Sequence, residues 1–425
     1  MIAFASLFLG LIAGVLPVRV IVGEPVARVE LELDARPVAR IEGKPWSVLV
    51  DFGSELSPHE LVARAMDKKG EEIGRARQWI NLPRPPAEVQ ILVEQGPGGR
   101  AVAARLAWQS VFGPRPERAA VTFDGQELAL DGQNRVSLPP YDPAAAHILT
   151  AQLSYPHEIR SRADVVLGGG SSGEARSELT AVSVSFGNGI GQTRSAEALR
   201  GRFCKRGEPL PIAAVESGPA DVIVVRGLDP RGASQQFQRL NHAPYDPTLL
   251  DREDRLRIVW PVAEEIPDAG GVHILFGVSR EFRAGFWFLL SRIEYPRPTA
   301  SPRRFTDAVA VAGLDAFASC SRRAVVLVVG SADRDESHFA PEVVRRYLER
   351  LHVPLYVWAL DAEAARRATP SWGEVQNISS IPAFGKAVED LRHALESQTV
   401  VWLEGRHLPQ DITLDPEADE LEISR

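Results

Sequence analysis

The feature that most constrains the fold is a pair of uninterrupted apolar runs in the C-terminal half, residues 324–329 (AVVLVV) and 355–360 (LYVWAL). Because every position is apolar rather than every second one, each run predicts a strand buried on both faces, as in a parallel sheet. Between them, residues 343–351 carry apolar side chains at the i, i+3, i+4 spacing of an amphipathic helix. Strand, crossover helix and strand form a βαβ unit, so this half is predicted to be an α/β domain.

The N-terminal half shows a different period. Residues 29–33 (VELEL) alternate strictly between apolar and charged, as a strand with one wet face should. Residues 67–70 (DKKG) and the pair Asp124 and Gly125 predict hairpin turns. We therefore predict two all-β segments, residues 20–94 and 100–185, joined by the glycine-rich residues 95–99 (QGPGG).

The two β segments look like copies of one another. Residues 33–39 (LDARPVA) can be laid on 123–129 (FDGQELA), and residues 59–65 (HELVARA) on 147–153 (HILTAQL). Because His59 and His147 fall at matching positions, we interpret them as structural residues at a strand start rather than as ligands. These sequence motifs resemble those of bacterial immunoglobulin-like modules, and the resemblance implies two immunoglobulin-like β-sandwiches.

The third domain has its own order of elements. Strands are predicted over 221–226, 256–262, 272–278, 324–330, 354–360 and 399–403, and helices over 282–293, 305–317 and 385–395. This order resembles a von Willebrand factor type A domain, which implies a doubly wound, Rossmann-like α/β fold over residues 220–405. Residues 186–219 are then a linker, and residues 406–425 an acidic C-terminal tail.

That family binds partners through a metal held by an Asp-x-Ser-x-Ser word, a Thr and a further Asp. Here Asp229 stands at the first position, but Arg231 and Ala233 replace the two serines. Thr306 can fill the Thr position, although a Thr at a helix start is also an ordinary cap. The last Asp is displaced, since Ser331 is followed only by Asp333 and Asp335.

The resemblance therefore implies a degenerate metal-dependent adhesion site, and no bound metal is predicted. The interpretation that we favour for Thr306 is a cap on the helix that begins at residues 307–308. The strand-end loops remain candidates for a binding face, whose residues are Asp229, Thr306, Ser331, Asp333 and Asp335.

Composition and motifs narrow the function. A net charge of −8 gives no basic footprint for nucleic acid. The glycine-rich residues 168–174 lack the Lys-Ser or Lys-Thr and the following helix of a phosphate loop, so no cofactor is predicted. No nucleophile elbow or metalloprotease His pair occurs, and we predict no enzyme. The two cysteines, Cys204 and Cys320, allow one disulfide at most, and the sequence leaves open whether it forms.

The first residues set the expected location. Residues 2–18 carry no charge, and Pro17 ends the apolar run. Over residues 1–19 this favours a cleaved secretory signal, with an uncleaved N-terminal anchor and an ordinary buried segment as alternatives. We therefore expect export to the periplasm, the cell envelope or the exterior, with membrane contact only through such an anchor.

Together these observations predict an exported, non-enzymatic interaction or adhesion-type protein with a protein partner. An architectural envelope subunit without a dedicated site is one alternative. A hydrolase that uses carboxylates in the α/β crevice is the other.

Overall fold

The structure is a computed structural model, and it describes residues 2–23, 25–85, 87–96, 100–110, 115–145, 147–155, 160–168, 179–186, 195–227, 254–259, 261, 263–265, 273–275, 286, 303–330, 335–416 and 421–424. The chain forms two compact units, the first within residues 1–176 and the second within residues 177–425. The first unit is all β, and the second combines antiparallel sheets with one parallel sheet and its helices.

Seven strands build the first module: β1 Ile2–Phe4, β2 Val15–Val22, β3 Arg28–Leu33, β4 Arg36–Ile41, β5 Ser47–Asp51, β6 His59–Met66 and β7 Glu72–Ile80. They form two antiparallel sheets with the orders β1-β2-β5 and β4-β3-β6-β7. The alternation predicted for residues 29–33 is confirmed, since Val29 and Leu31 are fully buried in the core. A β-sandwich results, because each sheet has one apolar face to cover.

Seven further strands build the second module: β8 Ala87–Gln95, β9 Ala101–Ser110, β10 Arg118–Phe123, β11 Gln126–Leu128, β12 Arg135–Ser137, β13 His147–Ser154 and β14 Arg160–Leu167. Its sheets have the orders β12-β9-β8 and β11-β10-β13-β14. Counted from the start of each module, both follow the order 1-2-5 and 4-3-6-7. The internal repeat inferred from the sequence is therefore confirmed in the topology.

The boundary between the modules was predicted wrongly. Strand β8 was assigned to the first module and residues 95–99 to a linker, but β8 pairs with β9 along its whole length. Residues 95–99 therefore connect two strands of one hairpin. The modules are joined instead through the proline-containing residues 81–85, which follow β7. Alternation of side chains cannot show which neighbour a strand will pair with.

The N-terminal apolar segment takes the form of the third alternative, a buried part of a domain. Ile2, Phe4 and Leu7 lie in the core of the first module. Gln78 exchanges hydrogen bonds with the backbone of residues 6–8, at 2.9 Å to each. Asn81 does the same with the N–H and C=O of Ile12, both at 2.8 Å. Within the described residues, no helix has the length and apolarity that a membrane crossing requires.

The second unit contains β15 Leu179–Phe186, β16 Phe203–Lys205, β17 Glu208–Pro209, β18 Ile212–Glu216, β19 Ala220–Gly227, β20 Arg255–Val259, β21 Ala263–Glu265, β22 His273–Leu275, β23 Arg322–Val329, β24 Leu355–Ala359, β25 Val375–Asn377, β26 Gln398–Glu404, β27 Ile412–Leu414 and β28 Leu421–Ile423. Its described helices are α1 Phe305–Ala318, α2 Pro341–Arg350, α3 Ala362–Trp372 and α4 Ile381–Ser397.

A third sandwich, absent from the sequence prediction, frames this unit. Its sheets are β18-β26-β15-β28 and β17-β16-β27, so they draw strands from both ends of the unit. The predicted linker, residues 186–219, in fact supplies β16 to β18, and the predicted tail supplies β27 and β28. Cys204 lies in β16 and Cys320 follows α1, and both thiols are free.

The α/β domain is inserted between β18 and β26. Five strands form its sheet in the order β20-β19-β23-β24-β25, and every neighbouring pair is parallel. The doubly buried strand predicted at residues 324–329 is confirmed, since β23 is buried over residues 323–328. The strand predicted at 399–403 exists as β26, but it pairs antiparallel with β15 and β18 and so belongs to the sandwich.

Helices cover both faces of the parallel sheet. Helix α4 places Phe384 and Leu391 in one cluster with Val326 and Trp358 of the sheet. Helix α1 packs against β19 and β23, and against α2. At that helix crossing, a Cβ on Gly313 would lie 2.6 Å from a methyl carbon of Leu348, so only glycine permits the observed approach.

Candidate functional site at the carboxyl edge of the parallel sheet

The strand order makes one crevice of the parallel sheet the strongest candidate for a functional site. From β19 the sheet continues to β20 on one side, and from β23 it continues to β24 on the other. The order of the strands therefore reverses between β19 and β23. In open α/β sheets ligands bind at the carboxyl ends of strands at such a reversal. Here those ends are Gly227 and Val329.

Two of the five candidate residues are brought together at this edge. Asp229, Ser331 and Asp333 lie outside the described residues, and so does the glycine-rich loop after Gly168. Thr306 is fully buried in the first turn of α1, and its hydroxyl donates a hydrogen bond to the carboxylate of Asp335. Thr306 and Asp335, two residues of the predicted binding face, are therefore in contact, and the binding face itself stays a prediction.

Asp335 is the residue that holds the start of α1. Its carboxylate accepts hydrogen bonds from the N–H groups of Phe305 at 2.9 Å and Thr306 at 3.2 Å. It also accepts from the N–H of Ser337 at 3.0 Å and from its hydroxyl at 2.5 Å. The first N–H groups of a helix have no partner within the helix, and a carboxylate there is favoured by the helix dipole as well.

The expectation that Thr306 caps a helix beginning at residues 307–308 is therefore wrong. The helix begins at Phe305, and Arg304, at the N-cap position, makes no side-chain cap bond. Thr306 lies inside the first turn, beyond the N-cap position from which a side-chain oxygen accepts from the first amides, and its hydroxyl donates to Asp335. A carboxylate from the loop after β23 does so instead, although that loop lies about thirty residues further along the chain.

A second set of bonds fastens the same loop to the helix. The Ser337 hydroxyl accepts from the N–H of Asp307 at 3.0 Å. The Asp307 carboxylate accepts from the N–H groups of His338 at 3.0 Å and Phe339 at 3.1 Å. Arg304 approaches the same carboxylate at 3.7 Å. Side chains of the loop thus accept hydrogen bonds from the first N–H groups of the helix, and a side chain of the helix accepts from N–H groups of the loop. These polar groups are therefore already bonded to one another.

The neighbouring strand ends repeat this use of polar residues. After β24, Asp361 caps α3 by accepting from the N–H of Ala364 at 2.7 Å. Before α4, Ser380 accepts from the N–H of Ala383 at 3.3 Å. Ser337, Asp361 and Ser380 were missed as edge residues. Asp361 and Ser380 could have been found, because each directly precedes a helical pattern.

The electrostatics of the edge are mixed. Arg226 lies at the end of β19 and is only 3% exposed. Arg367 of α3 reaches the carbonyl of Gly330 at 3.4 Å. In the part of the chain that the structure describes, no three His, Cys, Asp or Glu side chains are placed to hold a metal ion. The predictions that the protein has no cofactor and no catalytic activity stay predictions.

Comparison with known proteins finds likenesses among solved structures. No family model matches the chain, and no curated protein matches it. Among solved structures, the fibronectin(III)-like modules of Clostridium thermocellum CbhA match at 16% identity and a TM-score of 0.17, over 19% of this chain and 93% of that one. The central fibronectin-III array of RIM-binding protein matches at 9% and 0.21, over 46% and 81%.

The human COPII-coat protein Sec24c also matches, at 9% identity and a TM-score of 0.26, over 50% of this chain and 40% of that one. At such low TM-scores, these likenesses carry no argument about function.

Proposed function

We propose that this chain is a non-enzymatic protein that binds another protein through the carboxyl edge of its α/β domain. We further propose that this domain is a divergent von Willebrand factor type A domain that works without a metal. The observation that carries the proposal is the commitment of Asp335 to Phe305, Thr306 and Ser337.

A carboxylate offers about four lone-pair sites, and a metal ligand must turn at least one of them to the ion. Asp335 already accepts from three N–H and hydroxyl groups of α1 and from two of Ser337. A cation at Asp335 would have to displace bonds that hold the helix. Thr306 is fully buried, so a partner's carboxylate has no access to its hydroxyl.

The exposed residues of the same loop suit recognition by surface complementarity. Glu336, His338 and Ala340 are exposed, and all three belong to the loop that the caps hold in place. A loop fixed before binding loses little conformational freedom when a partner arrives. The proposed contact face is this loop together with the unplaced candidates Asp229, Ser331 and Asp333.

The two ends of helix α2 provide a matched test of the face. Ala340 precedes the helix at the carboxyl edge, whereas Glu349 is exposed near its other end, about 14 Å away at 1.5 Å per residue. A photo-crosslinking amino acid is placed at one position or the other in the full chain, in the native host. We expect a discrete adduct from position 340 that EDTA leaves unchanged, and none from position 349.

Equal adducts from both positions would contradict a dedicated face and favour the architectural alternative. Loss of the adduct in EDTA would show that a metal is needed. Export, which the sequence predicts from residues 2–18, is a separate question, because the structure packs this segment into the first module. Fractionation with intact-mass analysis tests it, and a cytoplasmic protein that retains residues 2–18 would refute the predicted location without bearing on the contact face.

A further inference from the structure

The two N-terminal modules share one histidine–aspartate tie. In the first, His59 Nδ1 lies 2.7 Å from Asp34 Oδ2, and the other Asp34 oxygen accepts from the N–H of Glu60 at 2.9 Å. In the second, His147 Nδ1 lies 2.6 Å from Asp124 Oδ2, and the other oxygen accepts from the N–H of Ile148 at 2.8 Å. Each tie fixes a hairpin turn to the start of the strand next to it.

The backbone conformation of the two turns explains why a side-chain hydrogen bond is needed there. Asp34 and Asp124 both adopt left-handed backbone, with φ of 52° and 49°. Each also donates its own N–H to the carbonyl of the residue after the histidine, at 2.9 Å in both modules. Aspartate tolerates this conformation better than most side chains. The shared geometry explains why histidine and aspartate recur at matching positions of the repeat.

The other ring nitrogen distinguishes the two modules. His147 Nε2 lies 3.0 Å from the carbonyl oxygen of Asp142. His59 Nε2 is buried, and it has no hydrogen-bond partner among the described residues. A ring with an acceptor at each nitrogen needs two N–H groups, and only the protonated imidazolium has them. His147 is built to carry a positive charge, whereas His59 has one acceptor and needs one proton.

The residue that His147 contacts belongs to a loop with few other ties. In residues 141–145, the N–H of Ala144 donates to the Asp142 carboxylate at 2.9 Å and the N–H of Ala145 to the Asp142 carbonyl at 3.2 Å, so both bonds are internal to the loop. Arg100 stacks over the Tyr141 ring at 4.6 Å and donates to its carbonyl. At its other end the loop lies close to Gly168, since a Cβ added to Gly168 would be 2.3 Å from the carbonyl oxygen of Ala145. His147 thus holds the middle of the loop.

We propose that His147 is a pH-sensitive latch on residues 141–145, closed while both ring nitrogens are protonated and open when Nε2 loses its proton. In the open state a lone pair would face the Asp142 carbonyl, and the two would repel. The charged and titratable groups that face the ring are Asp124 from the β10–β11 turn and Asp142 and Tyr141 from the loop. The first module serves as an internal control, because its ring lacks the second acceptor.

The direction of the pH effect follows from the shifts. The bond to Asp124, and after it the Asp142 carbonyl, raises the pKa of His147. The bond from His147 and the Ile148 amide lowers the pKa of Asp124. The histidine contribution to stability is complete below its unfolded pKa of about 6.5 and is lost as pH rises through the higher folded pKa. The aspartate contribution is complete above about pH 3.9 and is lost as pH falls.

Hydrogen exchange with mass spectrometry on the full chain tests the latch. After correction for the intrinsic rate, we expect the protection of residues 141–145 to fall between about pH 6 and about pH 9, by up to about tenfold per unit of upward pKa shift. His147→Gln should remove this pH dependence, and the control His59→Gln should leave it intact. Equal protection at both pH values in the unmodified chain would overturn the proposal, as would pH dependence that persists in His147→Gln.

A nitrogen-correlated NMR spectrum gives a readout that needs no variant. Below about pH 6.5 the unmodified chain should show both His147 nitrogens protonated, and the midpoint of the ring's titration should lie above that pH. A midpoint at or below about pH 6.5 would contradict the latch directly.

Discussion

Removing the Asp335 carboxylate distinguishes a structural cap from a metal ligand. The variant is Asp335→Ala, compared with Asp335→Asn and with Thr306→Val. If Asp335 is a cap, its loss weakens the α/β domain whether or not a divalent ion is present. If it is a metal ligand, its loss matters chiefly when the ion is bound.

The size of the effect follows from the groups left without an acceptor. Loss of a helix cap costs about 1 kcal/mol and up to about 2. The Thr306 hydroxyl is fully buried, and a buried donor without an acceptor costs about 1–3 kcal/mol. We therefore expect Asp335→Ala to lower the free energy of unfolding by roughly 2–4 kcal/mol. Asp335→Asn keeps one acceptor oxygen and a good capping side chain, so about half that loss is expected.

Thr306→Val removes the hydroxyl but keeps the volume, and should cost about 1 kcal/mol in the unmodified background. In the Asp335→Ala background the same change should be neutral or stabilising, because it removes a donor that no longer has an acceptor. This double-mutant cycle isolates the bond between the two side chains, with an expected coupling of about 0.5–3 kcal/mol.

Denaturant unfolding followed by far-UV circular dichroism is the assay, because all the described α-helices lie in the α/β domain. Each protein is measured in EDTA and again in millimolar magnesium, calcium or manganese. A loss below about 0.5 kcal/mol for Asp335→Ala would refute the capping argument. Stabilisation of the unmodified protein by a divalent ion, abolished by Asp335→Ala, would show a surviving metal site.

Three other changes test the packing. Gly313→Ala should lower the unfolding midpoint of the helices, because its Cβ would lie 2.6 Å from Leu348. In a Leu348→Ala background the same change should raise the midpoint, because the clash is gone and the gain in helix propensity of about 1 kcal/mol remains. Arg257→Ala should lower the free energy of unfolding by about 3–5 kcal/mol, because it leaves the buried Asp221 unpaired. Asp315→Asn should raise the urea midpoint of unfolding at neutral pH, because burial raises the pKa of Asp315. Urea titrations of the two variants check both signs. Phe4→Ala should cost the first module about 3–5 kcal/mol and speed its proteolysis, whereas Val15→Ala, at a position 58% exposed, should not; equal proteolysis of the two variants would show that residues 2–4 are not part of the core.

A structural feature could be predicted from the sequence where the signal for it lies within a few neighbouring residues. The doubly buried run at residues 324–329 and the hairpin pair Asp124 and Gly125 act within a few residues, and both predictions are confirmed. Thr306 and Asp335 were predicted to share a site, but not that one donates to the other. That relation depends on where α1 begins, and the start of a helix whose cap comes from a distant loop has no mark in its own sequence.

The third sandwich had no local signal. Strand β15 pairs with β26 and β28, more than two hundred residues away in sequence. Ser183, Gln398 and Ser424 form a buried hydrogen-bonded cluster across these strands. Each strand by itself reads as an ordinary alternating or apolar run, so the sequence gives its existence but not its partner. The three-residue β25 was missed for the opposite reason, since its polar Gln376 and Asn377 give too weak a strand pattern.

This insertion also determines which edge of the parallel sheet is attached to the third sandwich. The α/β domain leaves the third sandwich at β18 and returns to it at β26, directly before β19 and directly after α4. Arg322, at the start of β23, bonds the carbonyls of Gly218 and Leu395 at both crossings, and Gln398 pairs with the N–H and C=O of Arg323. All these ties lie at the amino ends of the parallel strands. The eight-residue β23 spans about 26 Å, so its carboxyl end lies about that far along the strand from the end where these bonds are made. The edge that anchors the domain is thereby separated from the edge where the strand order reverses. Loops at the reversal can therefore change their side chains without disturbing the attachment.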